Sequence, residues 1–229
     1  MRLIFVRHGE PDYEHDCLTD TGHRQAAAAA ERLRDEGIVK IFSSPMGRAR
    51  QTAQYTADLL HLPVTVLPYM HEISWGGSDI PDNGHPWTLS ERMIDREDFD
   101  FSRRDWQTHP YFQNNVSNQF LEMISARFDE LLLNLGYRRD GARYLCLTDR
   151  DETVAMFSHG GSGACAMSHL MNIPFPYMCT AMPYDFTSVI ILNFPVRKGE
   201  HVHPRIELFN DCAHIKGTSD GPRFQEKSE

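Results

Sequence analysis

Two apolar runs in the sequence each end in a motif that contains a histidine. Residues 3–6 lead into RHGE, which carries Arg7 and His8, and a later run leads into SHGGSG, which carries His159. An arginine beside a histidine at the end of a buried strand is costly unless an anion is there to meet the charge. The two motifs therefore predict an anion-binding site at these strand ends.

Three further residues are candidates for the same site. Gly160 begins a glycine-rich turn into a predicted helix, where backbone N–H groups and the positive end of the helix dipole attract anions. Arg48 starts another helix within SSPMGRARQTA, and Glu72 lies in the loop after a third predicted strand. Ligands of parallel sheets bind beyond the carboxyl ends of the strands, so we expect these groups to meet His8 and His159 in one crevice.

The elements that must position these residues alternate between strands and helices. Strand-like runs cover residues 2–6, 38–42, 63–67, 143–147, 153–157, 188–194 and 205–209. Helical patterns cover residues 19–35, 47–60 and 161–172, and an amphipathic pattern begins at about residue 117. Thr19 is the predicted N-cap of the first helix. Such alternation is typical of an α/β fold with a largely parallel sheet.

The region from about 73 to 115 breaks this alternation. It is rich in Asp, Arg, Trp, Pro and Gly and has no sustained hydrophobic period. Because structureless segments of this length inside compact domains are usually functional, we interpret it as a lid or loop insertion in a single domain spanning 1–229. Its tryptophans and arginines are candidate substrate-recognition groups, although internal packing and ion pairing are the expected roles of most. These residues are Trp75, Trp87, Arg92, Arg96, Arg103, Arg104 and Trp106.

The composition of the whole chain argues against several classes of partner. Its 229 residues, 41% of them hydrophobic, suffice for one substantial core. The formal net charge of −9 argues against nucleic acid and anionic membrane surfaces. No apolar stretch approaches the roughly 20 residues that cross a bilayer, and no signal-peptide pattern is present. Five scattered cysteines without a CxxC pair predict reduced thiols in a cytoplasmic protein.

Five motifs, in this order, resemble those of the histidine phosphatase superfamily, which includes cofactor-dependent phosphoglycerate mutase. They are RHGE (7–10), LTDTGHRQA (18–26), SSPMGRARQTA (43–53), SHGGSG (158–163) and FNDCAHI (209–215). The resemblance implies a three-layer α/β/α domain with a mostly parallel central sheet. It also implies that the ligand is a phosphoryl group and that no metal or other cofactor takes part.

The resemblance assigns a role to each candidate residue. His8 would be the nucleophile that forms a phosphohistidine, and Glu72 would be the general acid and base. Arg7, Arg48 and His159 would hold the phosphoryl oxygens, with Gly160 beside them. Phosphoryl transfer spreads negative charge over these oxygens, which suits the planar, permanently charged fork of arginine. A nucleophilic histidine must be neutral, so we expect one ring nitrogen to donate a hydrogen bond while the other faces phosphorus.

Some alternatives remain open at this stage. Arg50 competes with Arg48 for the phosphate, and Glu10 competes with Glu72 as the acid. His201 and His203 have the spacing of a chelating pair on a strand, but the expected position of both is at the solvent. Oligomeric state cannot be predicted from these patterns.

The resemblance also leaves three functions to weigh. The mutases of the family carry a longer stretch between RHGE and the next motif than residues 11–17 provide here. A short loop at the site excludes water poorly from a phosphorylated intermediate, so hydrolysis of a phosphomonoester is the preferred prediction. A phosphoglycerate mutase-type phosphotransferase is the first alternative, and an inactive phosphate-binding relative is the second. The expected substrate is a small phosphorylated molecule, with a phosphoprotein as a further option.

Overall fold

The computed structural model of the protein describes residues 1–77, 80, 84–88 and 105–221. The strands are β1 (Arg2–Arg7), β2 (Pro11–Asp12), β3 (Cys17–Leu18), β4 (Ile38–Ser43), β5 (Val64–Val66), β6 (Tyr137–Asp140), β7 (Arg143–Cys146), β8 (Thr153–Ser158), β9 (Val189–Asn193), β10 (His201–Val202) and β11 (Arg205–Asp211). The helices are α1 (Asp20–Leu33), α2 (Gly47–Leu60), α3 (Pro110–Gln113), α4 (Ser117–Asn134), α5 (Gly160–Met171) and α6 (Phe175–Ala181).

The central sheet has six strands in the order β11-β9-β1-β8-β4-β5. The four strands from β1 to β5 in this order run parallel, whereas β9 runs antiparallel to both of its neighbours. Every residue of β8 is buried, as expected for a strand that is covered on both faces. Antiparallel strands β10, β7 and β6 form a smaller sheet, and β2 pairs with β3 as a hairpin.

Helices cover both faces of the central sheet. Alternate residues of β1 point to opposite faces, because the side-chain period of a strand is two. On one face, Ile4 shares a core cluster with Leu33 of α1 and Ala53 of α2. On the other, Phe5 stacks on Phe128 of α4 with ring centroids 5.8 Å apart. The three-layer α/β/α architecture expected from the sequence is therefore confirmed.

The elements predicted from hydrophobic periodicity are present, and several short ones were missed. Thr19 is the N-cap of α1, as predicted, and its hydroxyl accepts a hydrogen bond of 3.0 Å from the N–H of Gly22. Strands β2, β3 and β10 have two residues each, which is too few to show any period. Strand β6 has the sequence YRRD, in which polar residues hide the strand pattern. Helix α6 was missed because it is only seven residues long.

The described part of the 73–115 region contains short elements that the sequence did not predict. Helix α3 lies in it, together with 3₁₀ turns at Pro86–Thr88 and Trp106–Thr108. The buried side chain of Asn115 connects its two ends, accepting from the N–H of Gly76 at 3.2 Å and donating to the carbonyl of Gly84 at 2.8 Å. The candidates Arg92, Arg96, Arg103 and Arg104 lie outside the described residues.

The cysteines are unpaired in the structure. All five are free thiols; Cys146, Cys165 and Cys179 are buried, and Cys17 and Cys212 are half-buried. In the part of the chain that the structure describes, no helix combines the length and apolar character needed to cross a membrane. The same residues contain no group of three or more metal-ligating side chains.

Candidate active site

Three strands of the central sheet end side by side and bring the two histidine motifs together. In the register of β1 and β8, Arg7 pairs with Ser158, and the ladder continues with a 2.9 Å bond from the N–H of His8 to the Ser158 carbonyl. Next to them, the N–H of Ser44 after β4 donates a 2.9 Å hydrogen bond to the carbonyl of Phe157 in β8. The rings of His8 and His159 consequently lie 5.1 Å apart, centroid to centroid.

The His8 ring is buried and its tautomer follows from its contacts. Nδ1 lies 2.7 Å from the carbonyl oxygen of Gly9, which only accepts, so Nδ1 carries the proton and Nε2 holds a lone pair. Nε of Arg48 lies 3.4 Å from this Nε2. Burial, together with the charges of Arg7 and Arg48, lowers the His8 pKa from 6.5 to about 3. His8 is therefore a neutral imidazole at neutral pH.

His159 presents one unpaired ring nitrogen. Its Nε2 lies 2.6 Å from Oγ of Ser44, which accepts from the N–H of Met46. We assign the tautomer in which this hydroxyl donates to Nε2 and Nδ1 carries the ring proton. The opposite nitrogen, Nδ1, is buried and has no hydrogen-bond partner among the described residues. Burial and the neighbouring positive charges lower the pKa of His159. Nδ1–H is therefore a donor available to a ligand.

The segment that follows α6 fixes the guanidinium of Arg7 by a hydrogen bond and a ring contact. Its Nη1 donates to the carbonyl of Tyr184 at 2.7 Å, and its guanidinium carbon lies 4.3 Å from the centroid of the Phe186 ring. Nε is buried without a partner among the described residues. The same Phe186 ring lies 5.4 Å from the ring of His8, so one aromatic side chain supports both neighbours. The Nε–H group of Arg7 is therefore available to donate a hydrogen bond to a bound anion.

Arg48 is buried at the start of α2, whereas Arg50 is exposed. Nη1 of Arg48 pairs with Oδ1 of Asp16 at 2.5 Å, and the other carboxylate oxygen accepts from the N–H of Gly47 at 2.7 Å. A Cβ on Gly47 would lie 2.1 Å from the Asp16 carbonyl, so this close approach needs a glycine. Of the two arginines, only Arg48 reaches His8 in the described structure.

Glu72 lies against the start of α5. Its Oε1 accepts hydrogen bonds from the N–H groups of Ile73 at 3.0 Å, Gly161 at 3.0 Å and Ser162 at 3.1 Å. Burial raises the pKa of Glu72 and outweighs these bonds and the charges of the two arginines, which lower it. Because all three bonds go to Oε1, Oε2 is the oxygen left to carry a proton.

This arrangement corrects one expectation. The glycine-rich start of α5 was predicted to offer its N–H groups to the bound anion, but the N–H groups of Gly161 and Ser162 bind the Glu72 carboxyl instead. A side chain at residue 161 would collide with it, since a Cβ on Gly161 would lie 2.6 Å from Oε1. Gly160 lines the cleft beside Arg7, as expected.

We call Arg7, His8, Arg48, Glu72 and His159 the floor of the site. Above it opens a cleft of about 440 Å³, whose lining includes Arg7, Glu72 and Gly160. Its remaining lining residues form what we call the rim. These are Tyr13, Trp75, His85, Trp87, Cys179, Thr180, Pro183 and Tyr184.

Other candidates from the sequence lie away from this cleft. Oε1 of Glu10 accepts from the hydroxyl of Thr19 at 3.0 Å, at the start of α1. Trp106 is buried against Phe112, as internal packing predicts. His201 and His203 are both exposed, as expected.

Sequence reasoning missed the residues that hold the floor in place. Ser44 stands inside a recognised motif, but only the fold shows that it contacts His159. Asp16 and Tyr184 stand in no motif, and each contacts an arginine that is distant in the sequence. No local pattern identifies such partners.

Thr187 is a second unexpected support. It has a positive φ of 55°, which is unusual for a β-branched residue. In this conformation its N–H lies 3.0 Å from the carbonyl of Arg7 and 3.3 Å from that of His8. Its hydroxyl lies 3.0 Å from Nε2 of His214, in the FNDCAHI motif, which gives that motif a structural role behind the floor.

Comparison with known proteins agrees with this geometry. The sequence model of the Histidine phosphatase superfamily (branch 1) matches residues 3–211. The chain belongs to this superfamily. A protein of similar sequence is that of Yersinia pestis (strain Pestoides F) named "Probable phosphoglycerate mutase GpmB". It is 28% identical in an alignment of length 184 that covers 76% of each chain.

Solved structures of phosphatases share the histidine phosphatase fold. A mycobacterial glucosyl-3-phosphoglycerate phosphatase with inorganic phosphate is 24% identical, with a TM-score of 0.63 over 93% of this chain and 99% of that one. A phosphoserine phosphatase of Entamoeba histolytica with 3-phosphoglyceric acid is 22% identical, with a TM-score of 0.61 over 93% and 98%. Phosphatase or mutase activity is therefore the class of function that the superfamily supports.

Proposed function

We propose that this histidine phosphatase is a phosphomonoester hydrolase that acts through a phosphohistidine on His8 without a metal ion. The observation that carries the proposal is the state of the His8 ring. Its Nδ1 proton is committed to the Gly9 carbonyl, and its Nε2 lone pair lies among the donors of Arg48 and its neighbours. A neutral, oriented imidazole beside two arginines suits attack on a phosphoryl group.

In the first step, Nε2 of His8 attacks phosphorus and the bond from phosphorus to the alcohol oxygen breaks. Arg7, Arg48 and Nδ1–H of His159 stabilise the charge on the equatorial oxygens. Glu72 gives its proton to the leaving oxygen, a role that fits the raised pKa of its buried carboxyl.

In the second step, water attacks phosphorus from the side that the alcohol has left. The Glu72 carboxylate takes a proton from this water, the bond from phosphorus to Nε2 of His8 breaks, and inorganic phosphate leaves. Glu72 is then protonated again and His8 is again neutral. A small phosphorylated molecule in the reducing cytoplasm is the substrate that we propose, in keeping with the free thiols.

The short hairpin of β2 and β3 favours hydrolysis over phosphate exchange. It places the Asp16 carboxylate on Arg48, and Asp12 lies farther along the same hairpin. A mutase that reorients a bisphosphate needs further cations around the first phosphate site, and carboxylates here disfavour a second anion. This supports a hydrolase with one phosphate site.

The test compares two reactions of the purified protein. We expect release of inorganic phosphate from p-nitrophenyl phosphate, with its loss by at least about 10³-fold in His8→Ala. With 3-phosphoglycerate and 2,3-bisphosphoglycerate, we expect no interconversion of phosphoglycerates. Thermal unfolding of His8→Ala checks that the variant is folded.

Two results would contradict the proposal. Interconversion of phosphoglycerates without net release of phosphate would identify a mutase. Tight binding of vanadate without turnover of either substrate would identify an inactive phosphate-binding relative.

A further inference from the structure

We propose that the site selects phosphomonoesters whose alcohol carries a flat, uncharged aromatic ring, which stacks on the rim while the phosphate occupies the floor. This inference rests on the proposed function, because it names the substrate class of the same cleft. It follows from three features of the rim, which are the clustering of its aromatic rings, the buried scaffold that holds them, and the lack of charge on its described walls.

Three rings cluster on one side of the cleft. The centroid of Trp75 lies 4.2 Å from that of His85 and 5.9 Å from that of Trp87, and His85 and Trp87 are 5.3 Å apart. Despite these contacts, 36% of the Trp75 surface remains exposed. A partly exposed indole in the lining of such a cleft can stack on a flat ring.

A buried scaffold holds these rings in position. The residue after Trp75, Gly76, donates its N–H to Asn115, and the carbonyl of His85 accepts from the hydroxyl of Tyr111 at 2.6 Å. Tyr111 is 1% exposed and Asn115 is 2% exposed. Because both anchors are buried, the ring cluster is fixed before a ligand arrives, which reduces the entropy cost of stacking.

The other lining residues are also suited to an uncharged group. Among them, Tyr13 has 67% of its surface exposed, and the guanidinium of Arg48 lies 5.4 Å from its ring centroid. Pro183 and Cys179 add apolar surface, and burial raises the pKa of the Cys179 thiol well above its usual value, which keeps it neutral. Burial also lowers the pKa of His85, so this ring is neutral at neutral pH.

The described lining of the cleft carries ionisable groups mainly on residues of the floor. Among the described lining residues, the charged groups are Arg7 and Glu72, and both belong to the floor. A leaving group with a carboxylate or a second phosphate would meet rings instead of cations on the described walls. The volume of about 440 Å³ holds a phosphate together with a ring of this kind.

The experiment compares 2-phenylethyl phosphate with 2-cyclohexylethyl phosphate. Their alcohols have similar acidity and size, so a difference in kcat/KM reports the flat ring and not the chemistry of the leaving group. We expect the phenyl compound to be preferred by about 3–10-fold. We also expect 3-phosphoglycerate to be the poorest of the three substrates.

Substitutions assign this preference to the rim. Trp75→Leu and Trp87→Leu should bring the ratio of the two kcat/KM values close to one, while inhibition by inorganic phosphate stays unchanged. Trp75→Phe should restore most of the ratio. Tyr177→Leu changes an exposed aromatic residue that does not line the cleft and should leave the ratio unchanged.

The outcomes separate this inference from the proposed function. Equal kcat/KM values for the two esters, or a preference for 3-phosphoglycerate, would overturn the inference while leaving the hydrolase intact. If the protein hydrolyses no ester, p-nitrophenyl phosphate included, the proposed function fails. Calorimetry with 2-phenylethyl- and 2-cyclohexylethylphosphonate then decides the ring preference by binding alone, and equal affinities would overturn it.

Discussion

The floor and the rim of the cleft are held in different ways. The floor histidines follow strands β1 and β8 at the centre of the sheet, where the backbone ladder sets their positions. The rim rings stand on a loop and a 3₁₀ turn, which side-chain bonds of Asn115 and Tyr111 attach to the body of the protein. The histidines proposed for catalysis therefore lie where backbone hydrogen bonds of the sheet fix the chain. The rings proposed for substrate recognition lie on segments that side-chain hydrogen bonds hold in place. The following changes test that division.

The largest effect is expected at the floor, from a pair of arginines two residues apart. Arg48→Ala should lower kcat/KM for p-nitrophenyl phosphate by about 10²–10³-fold, because it removes a buried cation from the phosphoryl oxygens. Arg50→Ala should change it less than about 2-fold, since Arg50 is exposed. Steady-state kinetics on both variants measures the contrast. Equal losses would show that position within the motif, and not burial beside His8, decides the role.

The next largest effect concerns the proton of Glu72. Glu72→Gln should lower kcat/KM for an alkyl phosphate by about 10²-fold or more and that for p-nitrophenyl phosphate much less, because kcat/KM reports the step in which the alcohol leaves and nitrophenolate leaves without a proton. The raised pKa of Glu72 also means that the acid stays protonated above the usual carboxyl range and that activity declines as the pH rises through that pKa. The Gln variant should lack this decline. Equal losses of kcat/KM on both substrates would assign the acid to another group.

A smaller effect is expected when the rim is released from its anchor. Asn115→Ala leaves the N–H of Gly76 and the carbonyl of Gly84 unpaired, which should lower the free energy of unfolding by about 1–3 kcal/mol. We expect KM for p-nitrophenyl phosphate to rise several-fold with kcat nearly unchanged. Asn114→Ala, at the exposed asparagine next to Asn115, is the control. A collapse of kcat would mean that the floor depends on the rim.

The smallest effect is on stability. The folded-state pKa of His8 is lowered from 6.5 to about 3, so the folded protein resists protonation and loses stability relative to the unfolded chain as the pH falls below 6.5. At pH 5.5 the loss from this residue is about 1 kcal/mol. Urea unfolding at pH 7 and pH 5.5 should show a smaller loss in His8→Asn. An equal loss in both proteins would place the acid sensitivity elsewhere.

The same division explains how much could be predicted from the sequence. The strand ends at Arg7, His8 and His159 follow apolar runs, and Arg48 starts a periodic helix, so local patterns were sufficient to bring these residues together. The partner of Glu72 was not predictable in this way. Whether the N–H groups of α5 bind a ligand or a side chain depends on the position of the loop that carries Glu72, which is distant in the sequence. No local sequence pattern predicts that position.

The rim was less predictable still. Trp75 and Trp87 were candidates only by composition, and Tyr13 was not considered, because it belongs to a hairpin of two-residue strands. The convergence of the two tryptophans depends on the bonds of Asn115 to Gly76 and Gly84, which lie 39 and 31 residues before it in the chain. Sequence periodicity describes single elements, whereas the rim is a product of contacts between them.

The glycine at residue 161 has a consequence for the placement of the acid. Because this residue has no side chain, the carboxyl of Glu72 can approach the start of α5 and accept from its N–H groups. A Cβ at residue 161 would lie 2.6 Å from Oε1 of Glu72 and 2.4 Å from the side chain of Ile73. With alanine at this position, the carboxyl of Glu72 and the side chain of Ile73 would both have to shift to make room. The placement of the proposed proton donor therefore depends on residue 161 as well as on residue 72.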